Sequence, residues 1–342
     1  MSLPCPPIKI NHCFTSLNDS IQHAKSWVSL KSSYDLKKIK KIEKSIIEFL
    51  EYISQNTTIS LIFISVNLQF RMENDQNFLI RKPVNSFLSN IIECFFYIDI
   101  PVCQLTEKAE FMIPFPRITM GYFFDHPFRV INDTLNESKL INNAISRIST
   151  QKINVLPATD RIRIVGAHLK PFGLACYTQK AVNSLPWLID IEELFGHMAR
   201  EFLLKIHHLA NTEEMFTAME DIFLNNILDR DLSLIIKALE LIESNSGDIE
   251  MTLLSEQLNV SDRTIRNHFY NYVGCSPKEY IRIVKLKQIA YQLKHSQNSL
   301  TNIAYSNNYF DQAHFVHEVK GITGQSPGQL RKDIPDFRFL QF

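Results

Sequence analysis

The sequence predicts an α+β protein, with a β-rich amino-terminal region and an all-α carboxy-terminal domain. Three observations carry this. Short apolar and aromatic runs, broken by Pro101, Pro114, Pro116 and Pro127, occupy much of the first half. From Leu234 on, the pattern changes to helical spacing with short turns. The helical part also repeats itself, at an offset of 50 residues. The chain has 342 residues, enough for roughly two domains of about 150 residues.

Taken in order, residues 1–82 form an amino-terminal extension. In it, Leu36, Ile39, Ile42, Ile46, Ile47, Phe49, Leu50 and Ile53 predict an amphipathic helix after Ser33-Tyr-Asp35. The lysines on its other side read as a solvated face. Strands are predicted at Thr58 to Phe70, Ile91 to Ile100, Phe111 to Phe124 and Arg161 to Leu169. In the last of these, Arg161 and Arg163 alternate with Ile162 and Ile164. Several short strands predict a sandwich or barrel-like sheet over residues 83–200. Ile191 to Leu209 and Glu213 to Leu228 are spaced as helices, and residues 201–232 form a helical connector. Phe195, Phe202, Leu203, Leu204 and Phe216 exceed what one packed face needs. Either a homodimer contact or the chain's own sheet covers them. Residues 233–333 form the all-α domain, and 334–342 a tail.

Lys+Arg and Asp+Glu both number 36, so the formal net charge of +0 excludes a globally basic coat protein but not a local basic face. With 24 Phe and 11 Tyr, an intrinsically disordered chain is excluded as well. Cys5, Cys13, Cys94, Cys103, Cys176 and Cys275 have no CxxC spacing and read as reduced thiols. The start, Met-Ser-Leu-Pro-Cys-Pro-Pro, lacks a signal-peptide pattern, and the longest apolar stretch, Ile59 to Val66, is too short to span a bilayer. A cytoplasmic protein with no membrane partner is expected.

Each repeat unit has a physical reading. Ser261-x3-Ile265-x3-Phe269 leads to Gly274-x-Ser276-Pro277. Asp311-x3-Phe315-x3-Val319 leads to Gly324-x-Ser326-Pro327. Ser261 and Asp311 suit a helix N-cap. The i, i+4 apolar pairs point inward. Gly247, Gly274, Gly321, Gly324 and Gly328 read as helix terminators, and Ser-Pro opens the next helix. A short helix precedes each unit, with Thr252 and Ser299 as candidate caps and Asn259 and Asn308 in the turns. Each unit is therefore a predicted helix-turn-helix. On the first second-helix, Arg263, Arg266, Asn267 and Tyr270 face outward. On the other, Gln312, Ala313, Val316, His317 and Lys320 do so. Arginine can pair with guanine edges, asparagine with adenine, and small apolar groups with thymine methyls.

Residues Leu234 to Lys332 resemble the DNA-binding domain of the AraC/XylS family. The match rests on Val260-Ser-Asp-Arg-Thr-Ile-Arg-Asn-His-Phe269, Gly274-Cys-Ser-Pro-Lys-Glu-Tyr280, Tyr309-Phe-Asp-Gln-Ala-His-Phe315 and Gly324-Gln-Ser-Pro327. The resemblance implies seven helices in two helix-turn-helix units, joined by a long helix from Pro277 to His295. Its departures are Asn308 for glycine, Val319 for phenylalanine, Leu330 for an aromatic and Lys285 for arginine. It implies double-stranded DNA as partner. Arg263, Arg266, Asn267, Gln312, Ala313, Val316 and His317 would read bases, while Ser261, Tyr270, Lys285 and Lys320 would contact the DNA backbone. Pro83 to Gly196 looks like a region of unknown function found ahead of such domains. That implies ligand sensing or dimerisation; a small-molecule effector, a second copy and RNA polymerase are the further partners it suggests.

Ser233 to Lys332 carries 11 Lys+Arg and 9 Asp+Glu, so non-specific phosphate attraction is expected to be modest. His314 and His317, His207 and His208, and His168 with His126 lack the further ligands a metal site needs. No P-loop, G-x-S-x-G or G-x-G-x-x-G occurs. Neither a cofactor nor a catalytic residue is expected.

Overall fold

The computed structural model describes residues 78–102, 110–225 and 227–333. The amphipathic helix of Leu36 to Ile53, the strand of Thr58 to Phe70, the tail, and Cys5, Cys13 and Cys103 lie outside them. Among the described residues, the β-rich part contains ten strands: β1 Phe78–Arg81, β2 Ile92–Pro101, β3 Glu110–Met112, β4 Ile118–Phe123, β5 Phe128–Asn132, β6 Glu137–Ile141, β7 Asn143–Ser146, β8 Ile153–Leu156, β9 Arg161–Leu169 and β10 Leu188–Ile189. They make a six-stranded sheet, ordered β1-β2-β9-β4-β7-β10, and a four-stranded sheet, ordered β3-β8-β5-β6. The paired strands are antiparallel.

Strand β9 shows how its surroundings shape its pattern. Arg161 and Arg163 alternate with buried Ile162, but from Ile164 onward every residue is buried. There both faces of the sheet are covered, so alternation ends. Phe96, Ile98, Ile162 and Ile164 pack with Phe78 and Phe128 between the sheets. Glycine is required at Gly166, where a Cβ would come within 2.2 Å of the Phe96 ring. On the other face of the large sheet, Phe95 meets Phe216 and Phe223, with ring centroids 6.2 and 6.3 Å away.

Phe216 and Phe223 belong to helix α3 Thr212–Leu224, which follows α1 Ile191–Phe195 and α2 His197–Ile206. Seven helices follow: α4 Ser233–Ser244, α5 Met251–Leu258, α6 Asp262–Tyr272, α7 Pro277–His295, α8 Leu300–Ser306, α9 Gln312–Thr323 and α10 Pro327–Asp333. The largest apolar cluster runs from the sheet through α1–α3 into the first helix-turn-helix unit, ending on α7 at Tyr280, Ile283 and Val284. A second cluster, Leu286, Ile289, Ala290 and Leu293 with Ile303, Phe315, Val319, Leu330 and Ile113, belongs to the second unit.

The α+β class and the packed sheets agree with the expectation; several details differ. The strand expected over Phe111 to Phe124 is two strands in different sheets, divided at Pro114 and Pro116. Proline donates no ladder hydrogen bond. The helix expected over Ile191 to Leu209 breaks at Gly196, whose φ is +58°. Phe195, Phe202 and Phe216 are buried in the sheet-side core and Leu203 packs partly against it, while Leu204 is 74% exposed. Of the two readings, a homodimer contact or the chain's own sheet, most of the apolar surplus follows the second. Gly321 and Gly328 lie inside α9 and α10 and terminate nothing.

Candidate nucleic-acid interface

The first helix-turn-helix is built by local rules. Helix α5 begins at Met251, preceded by Glu250 with no capping hydrogen bond from its side chain. Thr252, expected as the cap, lies within the helix. Asn259 turns the chain in the left-handed region, at φ 52°. Ser261 then caps α6, its Oγ accepting the Thr264 amide at 3.2 Å. Ile265 and Phe269 are buried. Arg263, Arg266, Asn267 and Tyr270 stand one helical turn apart in sequence and are all exposed. Gly274, at φ 91°, closes the helix, donating its amide to the Phe269 carbonyl at 2.8 Å. A reciprocal cap between Ser276 and Glu279 opens α7, with Pro277 in its first turn.

The second unit repeats the construction. Ser299 caps α8, accepting the Asn302 amide at 3.1 Å. Asp311 caps α9, accepting the His314 amide at 2.7 Å. Asn308, standing where glycine is usual, has φ 57°. Its side-chain Nδ2 donates to Asp248 Oδ2 at 2.5 Å, a bond that glycine could not form. Val319 is fully buried, as is Leu330. Gln312, Ala313, His317 and Lys320 are exposed, whereas Val316 is half-buried against the local core. The Gln312 Oε1 accepts from Thr301 Oγ1 at 2.9 Å. Lys285 is half-buried, with its ammonium 4.5 Å from the centre of the Tyr309 ring. His168 stacks on Phe96 at 4.9 Å and lies 3.2 Å from Thr119 Oγ1.

The family model described as "Helix-turn-helix domain" matches residues 254–333. The carboxy-terminal region is an AraC-type helix-turn-helix domain. Over 97 residues the chain is 31% identical to the HTH-type transcriptional activator RhaS of Yersinia pestis strain Pestoides F, covering 28% of this chain and 36% of that relative. The chain thus spans about a third of the length of the relatives it matches. Among solved structures, ToxT from Vibrio cholerae is 12% identical with a TM-score of 0.44, over 75% of this chain and 99% of that one. The C-terminal domain of AraT, a response regulator from Geobacillus stearothermophilus, is 24% identical with a TM-score of 0.29, over 30% of this chain and 88% of that one.

Sequence reasoning missed the polar tie between the AraC-type domain and the sheet. Arg117, immediately before β4, donates from Nη1 and Nη2 to the two carboxylate oxygens of Glu243 on α4, at 2.8 and 3.2 Å. Its Nε donates to Glu93 on β2, and the Tyr280 hydroxyl on α7 donates to Glu243. Burial works against the Arg117 charge, but Glu93 and Glu243 outweigh it and raise its pKa. Burial and the neighbouring Glu243 push the Tyr280 hydroxyl well above the usual tyrosine range. No local motif marks this cluster, because Arg117 and Glu243 are 126 residues apart. Also missed was Phe310, 88% exposed directly ahead of the Asp311 cap.

Proposed function

We propose that this chain is a sequence-specific DNA-binding transcription regulator, acting in the cytoplasm and without enzymatic activity. The observation that carries the reading is the exposed face of Arg263, Arg266 and Asn267 on a helix capped and turned as in a helix-turn-helix. Such a helix places its amino-terminal residues against base edges in the major groove. Arg263, Arg266, Asn267, Gln312, Ala313, Val316 and His317 are the proposed base readers. Ser261, Tyr270, Lys285 and Lys320 are the proposed backbone contacts. The second helix, with Ala313 and half-buried Val316, reads fewer polar edges than the first.

The β-rich region is proposed to sense a small-molecule effector; a cavity between its sheets supports this. A homodimer and contact with RNA polymerase complete the proposal. Its test starts by selecting bound sequences from random DNA. The winner and a scrambled control are then titrated at several salt concentrations. A sequence preference of at least about a thousandfold, with affinity falling as salt rises, is expected. Equal affinity for both DNAs, or none, overturns the reading.

A further inference from the structure

The cavity between the sheets has about 210 Å3 of open space. Arg117, Arg147, Thr119, Asn132, Ser146 and Trp187 are among its walls, and among the described residues no aspartate or glutamate lines it. The two arginines differ in what they already hold. Arg117 is occupied by Glu93 and Glu243. Arg147, at the end of β7, has no carboxylate partner among the described residues. Its Nη1 donates to the Asn183 carbonyl at 2.9 Å, and its Nε is buried without a hydrogen-bond partner. Arg81, Arg163 and Arg331 also bury an unbonded Nε, but Arg81 pairs with Glu213 and Glu220 and Arg163 with Asp125, while Arg331, whose Nη2 donates to the Asn298 carbonyl at 2.7 Å, lies outside the cavity wall. Burial lowers the Arg147 pKa, as expected of a cation whose charge is uncompensated.

A desolvated guanidinium edge is costly until an anion meets it. With Nη1 already engaged, the unbonded Nε marks the edge it forms with Nη2. That edge matches the two oxygens of a carboxylate. On the far side of Arg147, Asn183 belongs to the short turn Val182–Ser184. Val182 lies 2.8 Å from where a Cβ of Gly274 would stand, and Gly274 closes the recognition helix α6. One short chain of contacts therefore joins the cavity to α6.

We propose that the cavity binds a small carboxylate, gripped side-on by Arg147, and that its occupancy is transmitted through the Val182–Ser184 turn to the end of α6. This deepens the reading of the β-rich region as a sensor. None of the assays below contains DNA, so their failure leaves the DNA-binding reading standing.

The chain has two tryptophans, and Trp27→Phe leaves Trp187, in the cavity wall, as the sole reporter. The full-length variant is titrated with acetate, succinate and benzoate, and with acetamide, succinamide and benzamide. At least one carboxylate is expected to change the Trp187 emission saturably and to raise the melting temperature, while its amide does neither. Arg147→Gln is expected to weaken that carboxylate at least tenfold, and Arg147→Lys to weaken it less. Phenylglyoxal labelling of Arg147 in the wild-type chain, read by peptide mass spectrometry, does not depend on a variant that folds. The same carboxylate is expected to slow this labelling at least fivefold. The site is overturned if no carboxylate differs from its amide in either measurement, or if Arg147→Gln titrates as the wild type does. At saturating carboxylate, slower hydrogen exchange is expected in peptides covering the Val182–Ser184 turn and the end of α6. Unchanged exchange there overturns the transmission.

Discussion

At Arg266 the guanidinium lies 3.7 Å from Asp262, one turn earlier, and both side chains are about half exposed. A pair of this kind is worth about 0–1 kcal/mol, so it does not hold the arginine back from a guanine. Arg266→Ala is expected to cost about 1–3 kcal/mol on the selected site, with discrimination lost mainly at one base position. Parallel titrations on single-base variants of that site check this; equal weakening on every DNA would show that Arg266 reads no base. Lys285 belongs to a different class of contact. If its ammonium meets a phosphate, Lys285→Ala flattens the salt slope by about one unit on all sequences; an unchanged slope leaves it only its place on Tyr309. The thiols give a simpler test. Burial pushes Cys176 up to about 12 and raises Cys275 further, so peptide mapping after thiol labelling at pH 8 should find both unmodified until the protein unfolds. Residues whose role is local were legible in the sequence. Ser261, Ser299 and Asp311 cap where their type and spacing said they would, although Thr252 does not. Arg147 was not, because its significance lies in the partners that burial denies it.

Elements were legible where one face alone meets the core. Helices α6 and α9 fall at the predicted repeat, since their apolar stripes and caps are set by neighbours in sequence. Strand β6 was missed because its residues, Glu-Ser-Lys-Leu-Ile, have no buried member; it stands at the edge of the small sheet. The split between β3 and β4 was missed because both flanks of Pro114 and Pro116 are apolar and aromatic, and pattern alone joins them. The contact that ends α6 makes a sharp prediction at this scale. Gly274 combines a φ of 91° with a Cβ position 2.8 Å from Val182. Gly274→Ala is expected to cost about 1–3 kcal/mol of stability, through backbone strain and overpacking together. Urea denaturation measures it. Gly321→Ala is the control: nothing lies within 4 Å of its Cβ position, inside α9, so a gain of up to about 1 kcal/mol is expected there.

In the whole molecule, the Arg117 cluster ties sheet to helices, and it titrates. Burial acts to raise the Glu93 pKa, but Arg117 and Lys287 outweigh it and bring it from 4.5 to about 2. A carboxyl lowered on folding stabilises above its unfolded pKa, and that contribution is lost as pH falls from 4.5 towards 2. Because 47% of the Glu93 side chain meets solvent, its share is at most about 1 kcal/mol. Denaturation of wild type and Glu93→Gln across that range should show the two curves converging in acid. Arg117→Met leaves Glu93 and Glu243 facing each other without their cation and is expected to cost about 2–3 kcal/mol at pH 7. The fragment 233–333 is expected to stay helical by circular dichroism, while melting lower than the full chain for want of Arg117 and Ile113; a coil spectrum would place the boundary elsewhere. The two apolar clusters carry a last consequence, for how the chain opens. Both share α7: Val284 belongs to the cluster continuous with the sheet, and Leu286, two residues on, to the cluster of the second unit. The natural seam for partial unfolding therefore runs across the middle of a helix, rather than through any loop between domains. Native-state hydrogen exchange should find amides after Leu286 opening together with α8–α10 at lower denaturant, while the first two turns of α7 remain closed with the β-sheet.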